Sequence, residues 1–323
     1  MKSWIEIIRQ SILSQKEIVQ FQVQQDSGFL KKLEPILTVL TLNSGYMGYL
    51  VRDFSSEYSS NGNVKILIRY RQSQKETNDI DAIAGAFVKK NISSGMTELE
   101  KILVVHDFLC HSIQYDSSYS IRTPYHAFLS KKSVCSGFAL LFGLFLKKAG
   151  ITQYFVSGRS IDPGTRKKDN HIWNKVKLGD LIYNIDLTWD SCVRDLNPYA
   201  YFCVTDLQIQ SSHFPDTNQN GIPLSTTKVF YQTIDFKTAS SRIKKIQGSV
   251  SPGLLVNDPT QLMNLIQSEG VYKFSIPLGT DLQKLLKKFL NLTKIPIQKY
   301  EVNSFHEYVM KIERVTMKVY FHH

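Results

Sequence analysis

The chain has 323 residues, 42% of them hydrophobic and 21% charged, with a formal net charge of +11. The length points to more than one domain, and the composition supports a sizeable core, which excludes a largely disordered chain. The four cysteines, Cys110, Cys135, Cys192 and Cys203, form no CxxC pair, so a zinc ribbon, a thioredoxin-type site and a disulfide scaffold are excluded.

No apolar run reaches the roughly 18 residues needed to cross a bilayer; Ile36 to Leu42 is too short and carries two threonines. Glu6, Arg9 and Gln10 interrupt any signal peptide at the start. The expected compartment is the cytoplasm, or the cell envelope or exterior if an export signal has been removed. Residues 1 to about 50 are expected to be helical, with Ile5, Ile8, Ile12 and Leu13 at helical spacing and a second helix from Phe29 to Leu42. Tyr46 to Tyr58 reads as irregular, Ser59 to Asn63 as a turn and Val64 to Tyr70 as a strand. Helices are expected over 78–92 and 98–112, the second opened by Thr97 and Glu100 at capping-box spacing. His106, Cys110 and His111 cluster on that helix, but no second ligand group at suitable spacing joins them, so no metal is expected.

A loop over 113–132 carries Tyr115, Tyr125 and His126. Ser136 to Ala149 is apolar nearly all round and should be a central buried helix, ended by Lys147, Lys148 and Gly150. Strands follow over 153–157, 172–178 and 181–188, with a turn at Asp162-Pro163-Gly164 and a further strand over 197–204. After a polar loop at 215–223 and a linker over 240–252, helices from Asp258 and over 281–290 and strands over 271–276, 295–302 and 308–321 suggest a small α+β domain. From Lys237 onward the chain holds 13 basic and 6 acidic residues, seven of the eleven net positive charges. That tail is either a surface for an anionic polymer or a solvated basic face. It carries no nucleic-acid motif, so no specific nucleic-acid partner is expected.

The chemistry centres on Cys135, placed just ahead of the central helix in Val134-Cys135-Ser136-Gly137-Phe138-Ala139. A helix start and a nearby imidazolium both favour a thiolate, and an amide at or next to the cysteine can donate to an oxyanion. Gly137 would let the backbone pass close to a bound carbonyl. Downstream, His171 and Asp186 lie on strands joined through Leu178-Gly179-Asp180. A turn centred between Leu178 and Gly179 puts them directly opposite; one centred a residue later makes them diagonal neighbours on the same face. Thiol, imidazole and carboxylate then read as nucleophile, base and the group orienting the base.

These motifs resemble the transglutaminase-like superfamily, papain-related cysteine enzymes. The Cys135 motif is similar to its nucleophile motif, His171-Ile172-Trp173-Asn174 to its histidine motif, and Asp186-Leu187-Thr188-Trp189-Asp190 to its aspartate motif. Tyr201-Phe202 through Thr205-Asp206 to His213 resembles the tail of bacterial members. Ser136 departs from the glutamine common there, and Asn170 from the glycine. The resemblance implies the triad Cys135, His171 and Asp186, with no cofactor and no metal. It also implies an α+β fold: a papain-like core with an antiparallel sheet packed on the cysteine-bearing helix. Around it the expected organisation is an N-terminal helical region (1–60), a catalytic core (61–236) and a linker with a small basic domain (237–323). Trp173, Tyr115 and His126 are candidates for substrate contact. The implied reaction is cysteine-dependent acyl transfer on peptide or side-chain amides, as hydrolysis or cross-linking. The rival is an inactive binding or scaffold protein on the same fold.

Overall fold

The computed structural model describes residues 3–24, 26, 28–161, 167–192, 199–217 and 221–226, together with the backbone of four strands further on. The N-terminal part contains helices α1 (Trp4–Leu13), α2 (Phe29–Leu42) and α3 (Gly45–Leu50), and strands β1 (Ile18–Gln22), β2 (Val51–Tyr58) and β3 (Asn63–Tyr70). Residues 1–60 are therefore helical only in part, which corrects the helical expectation. β3 pairs antiparallel with both β1 and β2, so the sheet straddles residue 60. The strand face built by Val19, Val64, Ile66 and Ile68 covers Ile8, Ile12, Leu33 and Leu37. Alternation along β3 was legible, whereas Ile18-Val19-Gln20-Phe21-Gln22 and the polar Arg52 to Tyr58 become strands because β3 offers two open edges.

Next come α4 (Gln74–Asn91) and α5 (Glu98–Ser112), each opened by a complete capping box, Ser73 with Glu76 and Thr97 with Glu100. The first box extends α4 upstream of the expected start, since two otherwise orphaned donors find acceptors there. Within the span expected as a loop lie β4 (Gln114–Tyr115) and α6 (Pro124–Ser130), the latter with proline in its first turn. The two-residue strand β5 (Lys132–Ser133) leads into α7 (Cys135–Lys148), whose residues from Gly137 to Leu146 are all buried.

A four-stranded antiparallel sheet covers α7, in the order β8 (Leu181–Ile185), β7 (Lys168–Leu178), β6 (Gln153–Ile161) and β9 (His213–Pro215). Asn174 ties β7 to the helix, its Nδ2 donating to the carbonyl of Ala139 at 3.2 Å. From the other side α4 and α5 close the core, with Phe87, Phe108 and Phe145 stacked between them and α7. The short helices α8 (Leu187–Cys192) and α9 (Asp206–Ile209) complete this part. Residues 199–204, expected as a strand, are turns with one bridge, Val204 to Asn184.

Further on, β10 (Gly270–Phe274), β11 (Lys299–Val302), β12 (Tyr308–Ile312) and β13 (Thr316–Tyr320) form a sheet in the order β10-β12-β13-β11. The expected strand over 308–321 is thus an antiparallel hairpin. The expected turn at 162–164, the linker over 240–252 and the helices at 258 and 281–290 lie outside the described residues.

Candidate active site

Cys135 is the first residue of α7 and is partly exposed. Val134 at the N-cap has no side-chain acceptor, so no cap occupies the open N–H groups of the first turn. The chain around it is clamped. The N–H of Asp116 donates to the carbonyl of Ser133 at 2.8 Å, and that of Val134 to Ile121 at 3.0 Å. The hydroxyls of Ser133 and Ser136 donate to the carbonyls of Ile121 and Arg122 at 3.1 and 2.9 Å. The Asp116 carboxylate in turn accepts the N–H groups of Ser118, Ser120 and Ile121. The loop that walls the thiol is therefore held by its own backbone. Gly137 serves packing rather than substrate approach: a Cβ there would meet Ser133 Oγ at 1.9 Å and Ala127 Cβ at 3.1 Å.

His171 comes from β7 and Asp186 from the residue after β8. The turn is centred between Gly179 and Asp180, with Leu178 paired to Leu181 and Gly179 at φ 59°. That register makes His171 and Asp186 diagonal neighbours, the second of the two arrangements derived from the spacing. His171 Nε2 lies 2.6 Å from Asp186 Oδ2. Oδ1 of the same carboxylate accepts the N–H groups of Thr188 and Trp189 at 2.9 and 3.1 Å. Asp186 is fully buried and His171 is 7% exposed.

Burial alone would drive a proton off His171. The charge and hydrogen bond of Asp186, followed by contact with Cys135, outweigh it and raise the ring to about 10. For Asp186, burial pushes upward, but His171 and His213 hold the carboxyl well below the usual carboxylate range. With Nε2 on Asp186, Nδ1 is the nitrogen left to meet the thiol. The arrangement is an imidazolium–carboxylate pair beside a partly exposed thiol at a helix start.

Residues 86–189 match the profile of the transglutaminase-like superfamily. This segment is a transglutaminase-like domain. The chain is also 28% identical over 144 residues to kyphoscoliosis peptidase of Homo sapiens, covering 38% of this chain and 22% of that protein. The match thus spans about a fifth of that relative's length. Among solved structures, a TGase aligns over 53% of this chain and 50% of its own at 12% identity and a TM-score of 0.32. The periplasmic domain of TgpA from Pseudomonas aeruginosa aligns over 44% and 64% at 10% identity and a TM-score of 0.29.

Within and beside the transglutaminase-like domain, the other expected site residues separate. Tyr115 lies alongside Ser133, two residues before the thiol, and is 38% exposed. Burial, Tyr119 and Cys135 all push its hydroxyl up, so it stays protonated and can donate. Trp173, expected to line the cleft, is 1% exposed; it stacks on the His171 ring at 5.9 Å and donates Nε1–H to Asn184 Oδ1 at 2.9 Å. It backs the histidine rather than facing a substrate. His126 pairs with Thr123 Oγ1 at 2.7 Å and with Glu76 at 3.4 Å, partners on the α4 and α6 side rather than beside His171 and Asp186.

His213 is the residue whose place at the centre the spacing did not give, because only the pairing of β9 with β6 brings it there. Its Nε2 lies 2.9 Å from Asp186 Oδ2. Donor atoms of His171, Asp186 and His213 fall within 4.8 Å of one another, a set that could ligate a metal. Oδ2 contacts both imidazole nitrogens directly, so hydrogen bonds join the trio. In the cluster of His106, Cys110 and His111, both imidazoles have protein partners. His106 lies between Asp107 and Asp190, and His111 Nδ1 meets the Asp107 carbonyl at 2.8 Å.

Proposed function

We propose that the chain is a cysteine-dependent acyl-transfer enzyme acting on peptide or side-chain amides through a thioester. The observation that carries this reading is that an imidazole paired with a buried, four-times hydrogen-bonded carboxylate lies near enough to Cys135 for the thiol to raise its proton affinity. Cys135 attacks the carbonyl as the thiolate of a thiolate–imidazolium pair. The open N–H groups at the start of α7, with the Tyr115 hydroxyl, stabilise the oxyanion. His171 then delivers its proton to the leaving amine, and Asp186 keeps the ring's Nδ1 directed at the reacting centre. Water completes hydrolysis and a lysine amine completes cross-linking; the same triad serves both, and we favour hydrolysis of protein or peptide substrates. The basic segment from Lys237 is proposed to attract an anionic polymer or surface.

The test is the pH dependence of Cys135 alkylation, read by peptide mass spectrometry in the parent and in His171→Ala. Fast labelling at pH 6 in the parent, lost in the variant, is expected. A Cys135 that labels as slowly as an ordinary thiol of pKa about 8.5 in both proteins overturns the reading.

A further inference from the structure

We infer that His213 is a positioning residue for Asp186: an uncharged imidazole that donates Nε2–H to Oδ2 and fixes the carboxylate against His171. The inference rests on the thiol-enzyme reading and extends it to a fourth side chain. Four donors converge on Asp186. Two backbone N–H groups hold Oδ1, while His171 and His213 share Oδ2 at 2.6 and 2.9 Å. A carboxylate held through both oxygens has one orientation, and that orientation aims a lone pair at His171.

The sheet explains why two imidazoles meet there. On β6, Gly158 pairs with His171 of β7 and Ser160 pairs with His213 of β9. Positions 158 and 160 face the same side, so both rings rise over one face of β6. Gly158 makes the approach possible, because a Cβ there would lie 2.2 Å from the carbonyl oxygen of Phe214 and 2.9 Å from Pro215 Cα.

The surroundings of His213 suit an uncharged donor. It is 2% exposed, with Trp189, Trp173 and Tyr201 rings at 4.6, 4.9 and 5.7 Å. The ionisable groups facing it are Asp186 after β8, His171 on β7 and the Tyr201 hydroxyl from the segment before α9. Burial lowers its proton affinity in spite of Asp186, and His171 lowers it further. On Nδ1 the ring meets Ser212 Oγ at 2.9 Å, closer than the Ile209 carbonyl at 3.2 Å that the same hydroxyl also reaches; with its one hydrogen turned to Nδ1, the hydroxyl holds the tautomer that keeps the hydrogen on Nε2. A lysine or arginine in this place would orient Asp186 equally well but would repel the positive His171 ring, which lies 5.4 Å away. A neutral N–H orients without opposing that charge.

The test compares the parent with His213→Gln, which keeps an N–H donor but cannot gain a proton, and His213→Phe, which keeps bulk and loses the donor. Cys135 alkylation by iodoacetamide is followed by peptide mass spectrometry from pH 4 to 9, and the Asp186 carboxyl is titrated by carbon-13 NMR. In His213→Phe the lower limb of the alkylation profile and the Asp186 titration should both move up by about one pH unit, as expected for losing one hydrogen bond to a charged group. His213→Gln should stay near the parent in both. Superimposable profiles for parent and His213→Phe, or equal shifts in both variants, overturn the inference. If the parent thiol proves unactivated, the thiol-enzyme reading fails by itself. The Asp186 titration then decides the role of His213: an upward shift restricted to His213→Phe sustains it, and no shift removes it.

Discussion

The core holds two buried histidine–aspartate sites one helical turn apart, and they make opposite use of the same groups. Asp186 and Asp190 bracket the start of α8, with the N–H of Asp190 donating to the carbonyl of Asp186 at 3.0 Å. His171 pairs with the first and feels the partly exposed Cys135. His106 pairs with the second at 3.0 Å and with Asp107 at 3.2 Å, and is sealed among Phe142, Tyr199 and Phe202. Burial lowers His106, but the two carboxylates prevail and raise it to about 9, while burial pushes Asp190 up to about 7 in spite of His106. A thiol is near this second site too, yet burial holds Cys203 in its protonated form and out of solvent. The difference is access and a helix start, not the identity of the paired groups. One site stores charge beside a partly exposed thiol; the other ties α5 to α8 and, through Asp190 Oδ1, to the N–H of Tyr201 at 2.7 Å.

The largest effect that sharpens this contrast is on stability. His106→Ala leaves two carboxylates without their shared partner and should cost about 3–5 kcal/mol in urea unfolding. The pH profile of Cys135 labelling in the folded fraction should not move. A changed profile would merge the two sites into one. His171→Ala should do the reverse at the chemical end, slowing labelling at pH 6 by about 100-fold, the scale set by an ordinary thiol's small thiolate fraction.

A pH series separates the sites further. His106 is raised from 6.5 to about 9 on folding, so its contribution to stability is fully present below about pH 6.5 and is lost as pH rises through 9. Thermal melts of the parent from pH 6 to 10 should show that decline on top of the one from His171, which is raised to about 10, and His106→Gln should remove the His106 share and leave a shallower slope; parallel curves would contradict the assignment. The smallest expected effect belongs to Trp173→Phe. It keeps the ring behind His171 but strands Asn184 Oδ1 without the indole donor, for about 1 kcal/mol with labelling preserved. A large loss of labelling would instead show that the indole itself orients the histidine.

Much of the candidate site was legible because its spacing is local. The turn at Gly179 fixes a register in which only even offsets keep His171 and Asp186 on one face, and the apolar run after Cys135 can only be a buried helix. The burial of Trp173 was not legible, because its motif does not say what covers that face. Here Asn184 and the rings of His171 and His213 cover it. Ile18 to Gln22 was read within a helical region because five residues carry too little periodicity to declare a strand without a partner.

By itself the sequence determined the capped α5 and the buried α7, which depend on neighbours a few residues apart, and the order of thiol, imidazole and carboxylate, whose motifs carry the resemblance that implies the α+β class. Only the tertiary structure decided that His213, 27 residues beyond Asp186, reaches the same oxygen as His171. It also decided that His106 is sealed while Cys135 is open. Those outcomes depend on strand order and on which surfaces cover one another, and these follow from long-range packing that no local pattern encodes.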